Sequence, residues 1–336
     1  GDSSASFCHQ LIFCPVQSCL SIKEAFSYSL LSYMRICITG SAGLIGSALS
    51  PFLRRLGFDV VGIDTRAPQG GAEYGDILDY DAFAERVSDV DGIVHLAAVS
   101  RVLFGEQDPK LCWETNVEGT QRVIEASLES PSRPWIVYAS SREVYGQQQH
   151  LPVAETAPLA PVNIYGESKV AAEHAVEKGR ERGVKGAIVR LSNVYGSLLD
   201  YADRVIPAFC AAAASGAPIR VDGKETLFDF TFIDDVVHGI VSLMYAVIKS
   251  RSPLPPIHLT TGRGVSLEEA ALYARRASRH EIRVVEAPPR SFDVATFVGD
   301  PTRAQSLLHW NATVHIEEGI HRLITQYHLL AAHATS

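Results

Sequence analysis

A doubly wound α/β fold on a parallel sheet is what this 336-residue sequence predicts. Three observations carry that expectation. From Met34 onward, short apolar runs alternate with longer amphipathic ones, the pattern of repeated strand–helix–strand units. The runs are apolar almost throughout, as expected of strands covered on both faces. The first of them leads directly into a glycine-rich turn that opens a helix.

The elements follow in order. Residues 1–33 stand apart: they open Gly1-Asp2-Ser3-Ser4-Ala5-Ser6 and hold Cys8, Cys14 and Cys19. No Lys or Arg precedes Lys23, so the basic start of a secretory signal is missing, and this stretch is expected to be a leader outside the fold. Met34 reads as a natural chain start. Strands are predicted at Arg35–Thr39, Asp59–Asp64, Gly92–Ala97, Trp135–Ser140 and Ala187–Leu191, with helices between. Pro51 falls well inside the first of these helices and is expected to kink it or end its regular part. Residues 34–191 thus form a first domain. After about residue 192 the pattern loosens, with loops at Gly196–Arg204 and Lys249–Pro256 and the Pro288-Pro289 pair. Residues 192–330 are predicted to be a smaller, mainly substrate-binding α/β subdomain, with 331–336 a tail. Two of its segments are expected back at the main sheet: a helix beginning near Asp234 and the strand Ile257-His258-Leu259-Thr260. Ser266 and Glu269 have the spacing of a capping box.

Bulk properties exclude several function classes. A net charge of −8 argues against a nucleic-acid partner. No window of 18 or more apolar residues suits a membrane span. None of the six cysteines forms a Cys-x-x-Cys pair, which fits buried thiols in a reducing cytosol, and a cytoplasmic location is expected. Cys8, Cys14, Cys19 and His9 match no familiar zinc spacing, so no metal is expected.

Gly40-Ser41-Ala42-Gly43-Leu44-Ile45-Gly46 supplies the first chemistry. Glycines let the backbone turn tightly and approach a pyrophosphate, which the following helix N-terminus stabilises. Asp64 ends the next strand, 18 residues past Gly46. A carboxylate there accepts hydrogen bonds from ribose hydroxyls and repels a 2′-phosphate, favouring NAD over NADP, although nearby Arg66 could accommodate that phosphate. Tyr165 and Lys169 stand four residues apart, one helical turn, so both project from one face. A neighbouring ammonium favours phenolate, and the pair is expected to bring the tyrosine towards neutrality as an acid/base for an alcohol or ketone.

Together these residues make the chain resemble the extended short-chain dehydrogenases/reductases, in particular the NAD-dependent epimerases and dehydratases of nucleotide sugars. The resemblance runs from Met34 to about Ile324, and further motifs match in order. Asp76-Ile77 resembles the acidic pair at the adenine, and His95-Leu96-Ala97-Ala98 the strand under the cofactor. Thr115-Asn116-Val117 is similar to the Asn-bearing helix that braces the active site. Ser140-Ser141-Arg142-Glu143-Val144-Tyr145-Gly146 resembles the catalytic serine segment, and Arg190-Leu191-Ser192-Asn193-Val194-Tyr195-Gly196 the strand exit whose Asn meets the sugar nucleotide. Asp229-Phe230-Thr231-Phe232-Ile233-Asp234-Asp235 and Trp310 match C-terminal landmarks.

The resemblance implies a Rossmann-type NAD-binding domain at 34–191, with Gly40, Gly43, Leu44, Ile45, Gly46, Asp64, Asp76, Ile77, Leu96, Ala97, Ala98, Asn116 and Val194 at the cofactor beside Tyr165 and Lys169. Ser141, Tyr165 and Lys169 become the catalytic set; Glu143, Asn193 and Arg290 join Ser141 and Tyr165 at the substrate. It also implies a homodimer through the Tyr165 helix, for which Val170, Ala171, Ala172 and Ala175 are suitably small or apolar.

The neighbours of Ser141 decide between reactions. The 4,6-dehydratases resemble Thr-Asp-Glu here, with the Asp as acid; Arg142 stands in its place and cannot donate a proton to a leaving hydroxyl. Decarboxylases, and many epimerases, place an Arg where this chain has Phe228, so part of the expected diphosphate clamp is absent. What remains is a nucleotide-sugar epimerase, resembling UDP-glucose 4-epimerases, that oxidises and re-reduces C4 with a recycled NAD. Glu143 is then expected to be a surface carboxylate or a partner of Arg142, and Arg142 to meet a substrate carboxylate such as that of a uronic acid. The alternatives are a 4,6-dehydratase or 4-ketoreductase of the same family. A non-catalytic NAD-binding protein is disfavoured because Ser141, Tyr165 and Lys169 are all retained.

Overall fold

The computed structural model describes residues 34–288 and 296–334. Its centre is a six-stranded parallel sheet. The strands are β1 (Arg35–Thr39), β2 (Asp59–Ile63), β3 (Gly92–His95), β4 (Trp135–Ser141), β5 (Gly186–Leu191) and, from late in the chain, Ile257–Leu259. The order is β2-β1-β3-β4-β5 followed by Ile257–Leu259. The order reverses between β1 and β3, and in open α/β sheets ligands bind at such a switch point, beyond the carboxyl ends of the strands. Both faces are covered: one by Leu49, Phe52 and Leu53 with the Ile233–Lys249 helix, the other by Phe83, Val123 and Val176. The apolar strand runs of the sequence have this cause.

Two strands end sooner than the sequence suggests. Asp64 leaves β2 to make an isolated bridge with Tyr74, and Leu96 and Ala97 follow β3 as irregular chain. Pro51 does not end its helix, which runs Leu44–Leu56. The missing N–H and the ring clash cost ~3 kcal/mol. Burying Phe52 and Leu53 (3% and 0% exposed), the two residues that follow, returns roughly 1.5–3 kcal/mol each, so packing overrides the break. The stop comes at Gly57, in the left-handed region at φ 96, whose N–H caps the carbonyls of Arg54 and Leu53.

The C-terminal part adds smaller sheets. Β-strand numbering continues with β6 (Asn193–Tyr195), β7 (Ile219–Asp222), β8 (Leu227–Phe232), β9 (the Ile257–Leu259 strand above), β10 (Gly264–Ser266), β11 (Val284–Ala287) and β12 (Thr296–Phe297). β8 is flanked by β10 and β12 and also pairs with β6, while β7 pairs with β11. The helix expected near Asp234 spans Ile233–Lys249, and Ser266 with Glu269 closes both halves of the capping box. Trp310 donates from Nε1 to the Asp235 carbonyl at 2.9 Å, pinning the Trp310 segment to that helix. The last helix, Ile316–Ala334, continues past residue 330 into the expected tail. Cys37, Cys112 and Cys210 are buried free thiols. Cys8, Cys14 and Cys19, like the rest of 1–33, lie outside the described residues; among those described, no cluster suits a metal and no helix is long and apolar enough to cross a membrane.

Candidate active site

The glycine turn is shaped by its contacts. Gly40 sits at φ 74, and a Cβ on it would lie 2.8 Å from the Ala97 nitrogen; a Cβ on Gly46 would lie 2.2 Å from the Gly40 carbonyl oxygen. Only glycine fits either position. The turn therefore lies flat against Leu96 and Ala97 at the β1/β3 switch point. A chain of hydrogen bonds fixes that approach. Ala97 N–H donates to Thr39 Oγ1 (3.2 Å), Thr39 meets His95 Nδ1 (2.7 Å), His95 Nε2 meets Thr120 Oγ1 (3.0 Å), and Thr120 donates to the Asn116 carbonyl (2.6 Å). Burial pushes His95 down to about 3, so the ring is neutral. Because Thr120 spends its proton on Asn116, His95 must carry its hydrogen on Nε2.

Asp64 is buried, with one oxygen taking the Ala42 N–H (2.9 Å) and the other the Arg66 N–H (2.8 Å). Arg66 Nε also reaches Asp64 at 3.4 Å, so its guanidinium is drawn to the carboxylate. Asp76 accepts from Leu78 N–H at 2.9 Å, and buried Ile77 fills the space a Cβ on Gly119 would need. Leu44, Ile45 and Ala98 are partly buried around the same turn. A flat glycine turn at a helix N-terminus, a carboxylate at the next strand end and an apolar Ile77 wall suit the pyrophosphate, ribose and adenine of a dinucleotide.

Asn116 lies in a single π-helical turn, Glu114–Glu118, a distortion frequent at functional sites. Its side chain ties three segments: Oδ1 accepts from Val99 N–H (2.8 Å), and Nδ2 donates to the Val99 carbonyl (3.1 Å) and to Ser168 Oγ (2.9 Å). Ser168 precedes Lys169, so this clamp holds the tyrosine helix against the β3 exit.

That helix spans Ile164–Glu181, and Tyr165 and Lys169 project from its buried face. Ser141, at the end of β4, has its side chain close enough to the Tyr165 phenol to favour its ionised form. Lys169 Nζ donates to the Ala139 carbonyl at 2.9 Å and sits 5.9 Å from the Tyr165 ring centre. The expected tuning of Tyr165 does not arise from the protein alone. Burial raises the phenol to about 12, Ser141 opposing it, while burial lowers Lys169 to about 8. Desolvation outweighs the ammonium because both groups lie in the same dry space.

Glu143 is no surface carboxylate. It is 5% exposed, pairs with Arg142 Nη2 at 2.8 Å and accepts from Asn163 Nδ2 at 2.9 Å. Asn163 Oδ1 in turn caps the tyrosine helix by accepting from Gly166 N–H at 2.8 Å. Glu143 thereby orients the N-cap two residues before Tyr165. The Arg142 guanidinium lies 4.5 Å over the Phe228 ring, and its Nη1 is buried with no hydrogen-bond partner. Asn193 opens β6 beside these groups with its Nδ2 likewise buried and unpartnered, and Val194 is buried after it. Arg290 lies outside the described residues. Ala172 is 0% exposed within the core, so it is unavailable for a subunit contact.

Sequence reasoning missed the groups behind the site. Arg190 grips Glu173 through two hydrogen bonds of 2.9 and 2.7 Å and donates to Tyr145 Oη at 2.7 Å; Tyr145 meets His258 Nε2 at 2.6 Å. Glu173 is one turn past Lys169, a spacing that could have flagged it. Arg101 makes a two-pronged pair with Asp203 (2.8 Å each) and stacks at 4.8 Å on Phe104 and 4.9 Å on Tyr201, joining the loop after β3 to the loop after β6. Nothing in the sequence pairs those distant loops.

The parallel sheet, the glycine turn and the Ser–Tyr–Lys group define a Rossmann-type dinucleotide protein with an alcohol-handling site. Comparison with known proteins agrees: residues 36–253 match the NAD dependent epimerase/dehydratase family, and the chain belongs to it. It is 30% identical over 299 residues to a UDP-glucose 4-epimerase of Streptomyces lividans, covering 82% of this chain and 90% of that one. Among solved structures it is similar to the UDP-glucose 4-epimerase of Thermotoga maritima with UDP-glucose, with a TM-score of 0.81, 25% identity, and 89% and 99% of the two chains covered. The UDP-glucose 4-epimerase of Thermus thermophilus with NAD superposes with a TM-score of 0.78 at 26% identity, covering 88% and 99%.

Proposed function

We propose that this chain is an NAD-recycling nucleotide-sugar 4-epimerase. The observation that carries the reading is Ser141 acting on the phenol of buried Tyr165, with buried Lys169 5.9 Å from the same ring and Arg142 where a dehydratase acid would stand. The similar UDP-glucose 4-epimerases support both the reaction and the cofactor. Gly40, Gly43 and Gly46 would hold the pyrophosphate, Asp64 the ribose, and Asp76 and Ile77 the adenine, with Leu96, Ala97 and Asn116 shaping the nicotinamide end. When bound, NAD supplies a hydride acceptor and a positive charge that favours the Tyr165 phenolate. Tyr165 then takes the proton of the C4 hydroxyl while Ser141 hydrogen-bonds the same oxygen. Lys169, held by the Ala139 carbonyl, keeps positive charge beneath the phenol. After the sugar presents its other face, Tyr165 returns the proton. Against water elimination stand a guanidinium in place of the dehydratase acid and a Glu143 carboxylate already paired with Arg142 and Asn163.

Incubating the purified protein with a panel of nucleotide sugars, without added cofactor, tests this. Products of unchanged mass and inverted C4 by NMR are expected; loss of 18 mass units from any panel member would sink it in favour of dehydration. A homodimer in the cytosol completes the proposal. Exposed Leu111 and Trp113 beside the tyrosine helix and the three buried free thiols support it.

A further inference from the structure

The Arg142–Phe228 pair has chemistry that the epimerase reading leaves unused. Arg142 is 8% exposed, and its guanidinium lies 4.5 Å from the Phe228 ring centre and 5.9 Å from that of Phe297. Glu143 engages Nη2 at 2.8 Å, whereas Nη1 is buried with no hydrogen-bond partner. A desolvated guanidinium nitrogen without an acceptor is costly, and such donors mark sites built for a ligand oxygen. The aromatic faces hold the planar group in place and keep water from satisfying it.

Position on the sugar follows from the chain. Arg142 is the residue after Ser141, whose side chain acts on the phenol of Tyr165, the group that meets the C4 oxygen. On a pyranose ring the C5 substituent neighbours C4, while the diphosphate hangs from C1 across the ring. Arg142 follows Ser141 directly, so in this reading its backbone stands at the C4–C5 edge of the sugar ring. Glu143 occupies Nη2 and so leaves the Nη1 side of the planar guanidinium for a ligand oxygen, the side on which a carboxylate accepts a charge-assisted hydrogen bond.

We propose that Arg142 Nη1 recognises a carboxylate on C5, making a nucleoside-diphosphate hexuronate the preferred substrate. This rests on the epimerase reading for the placement of C4, and binding is measured so that the two can fail separately. Calorimetry on the NAD-loaded protein compares UDP-glucuronate with UDP-glucose for the wild type, for Arg142→Lys, and for Arg142→Gln combined with Glu143→Gln. The double substitution removes both charges together, so no buried carboxylate is left unpaired. The wild type should bind the uronate roughly 10- to 100-fold more tightly, in line with a charge-assisted hydrogen bond, and the double variant should bring the ratio near one while UDP-glucose still binds. Arg142→Lys should retain part of the preference. Equal wild-type affinities, or a preference that the double variant leaves intact, overturn the proposal. A product of altered mass would instead overturn the epimerase reading.

Discussion

Lys169 shows how burial and charge compete at one residue. Its ammonium is enclosed, and desolvation lowers it to about 8. A lysine depressed in the folded state binds fewer protons there than in the unfolded chain between about pH 8 and its ordinary value of 10.5, so its contribution to stability rises with pH across that window and is most unfavourable below it. Urea denaturation of the wild type and Lys169→Met should therefore show the wild type gaining relative stability from pH 7 to pH 10, while the variant loses turnover at every pH. A flat difference would mean that the Ala139 carbonyl and the Tyr138 face, 5.0 Å away, compensate the charge fully. Tyr165 obeys the same rule in the other direction: burial holds its proton on, and the spacing to Lys169 alone does not remove it.

At the scale of elements, the site depends on turns that close tightly at strand ends. Gly40 combines a left-handed φ of 74 with a Cβ position 2.8 Å from backbone. Gly40→Ala pays roughly 1–2 kcal/mol for the dihedral and must also push Ala97 away. The purified variant should retain little NAD by chromatography after denaturation, with its melting temperature lowered by several degrees. Full NAD content would show that the turn is not the cofactor's seat. The capping of the tyrosine helix is a second case. Asn163 satisfies the helix start while Glu143 fixes Asn163, so the tyrosine helix and the serine turn are tied together. The Ser141–Arg142–Glu143 stretch reads in sequence as three candidate substrate groups; in space only the Arg142 Nη1 is left unpaired.

At the scale of the whole molecule, a buried ion pair locks the sheet to the tyrosine helix. Arg190 on β5 and Glu173 on that helix are 4% and 3% exposed and joined by two hydrogen bonds, with Tyr145 and His258 extending the link to the last strand of the sheet. Burial pushes His258 down to about 3, so the link is carried by a neutral ring. Removing one partner strands a charge: Arg190→Met should cost about 3–5 kcal/mol in denaturant titration. Adding Glu173→Leu should recover much of that loss, and failure to recover would assign the effect to packing instead.

The sequence by itself determined the strand–helix alternation, the glycine turn with Asp64, and the Ser141, Tyr165 and Lys169 set. Each is local: a period, a run of a few residues or a one-turn spacing is enough to specify it. Strand ends, the survival of the helix through Pro51 and the burial of Ala172 were decided by packing between distant segments. So were the Arg190–Glu173 and Arg101–Asp203 pairs and the neutral His95 relay, whose partners are separated by 17, 102 and 25 to 56 residues. The direction of the Tyr165 shift belongs with these. Four residues of spacing fix where the ammonium stands, but only the three-dimensional enclosure fixes how much water both groups lose, and desolvation is the larger effect.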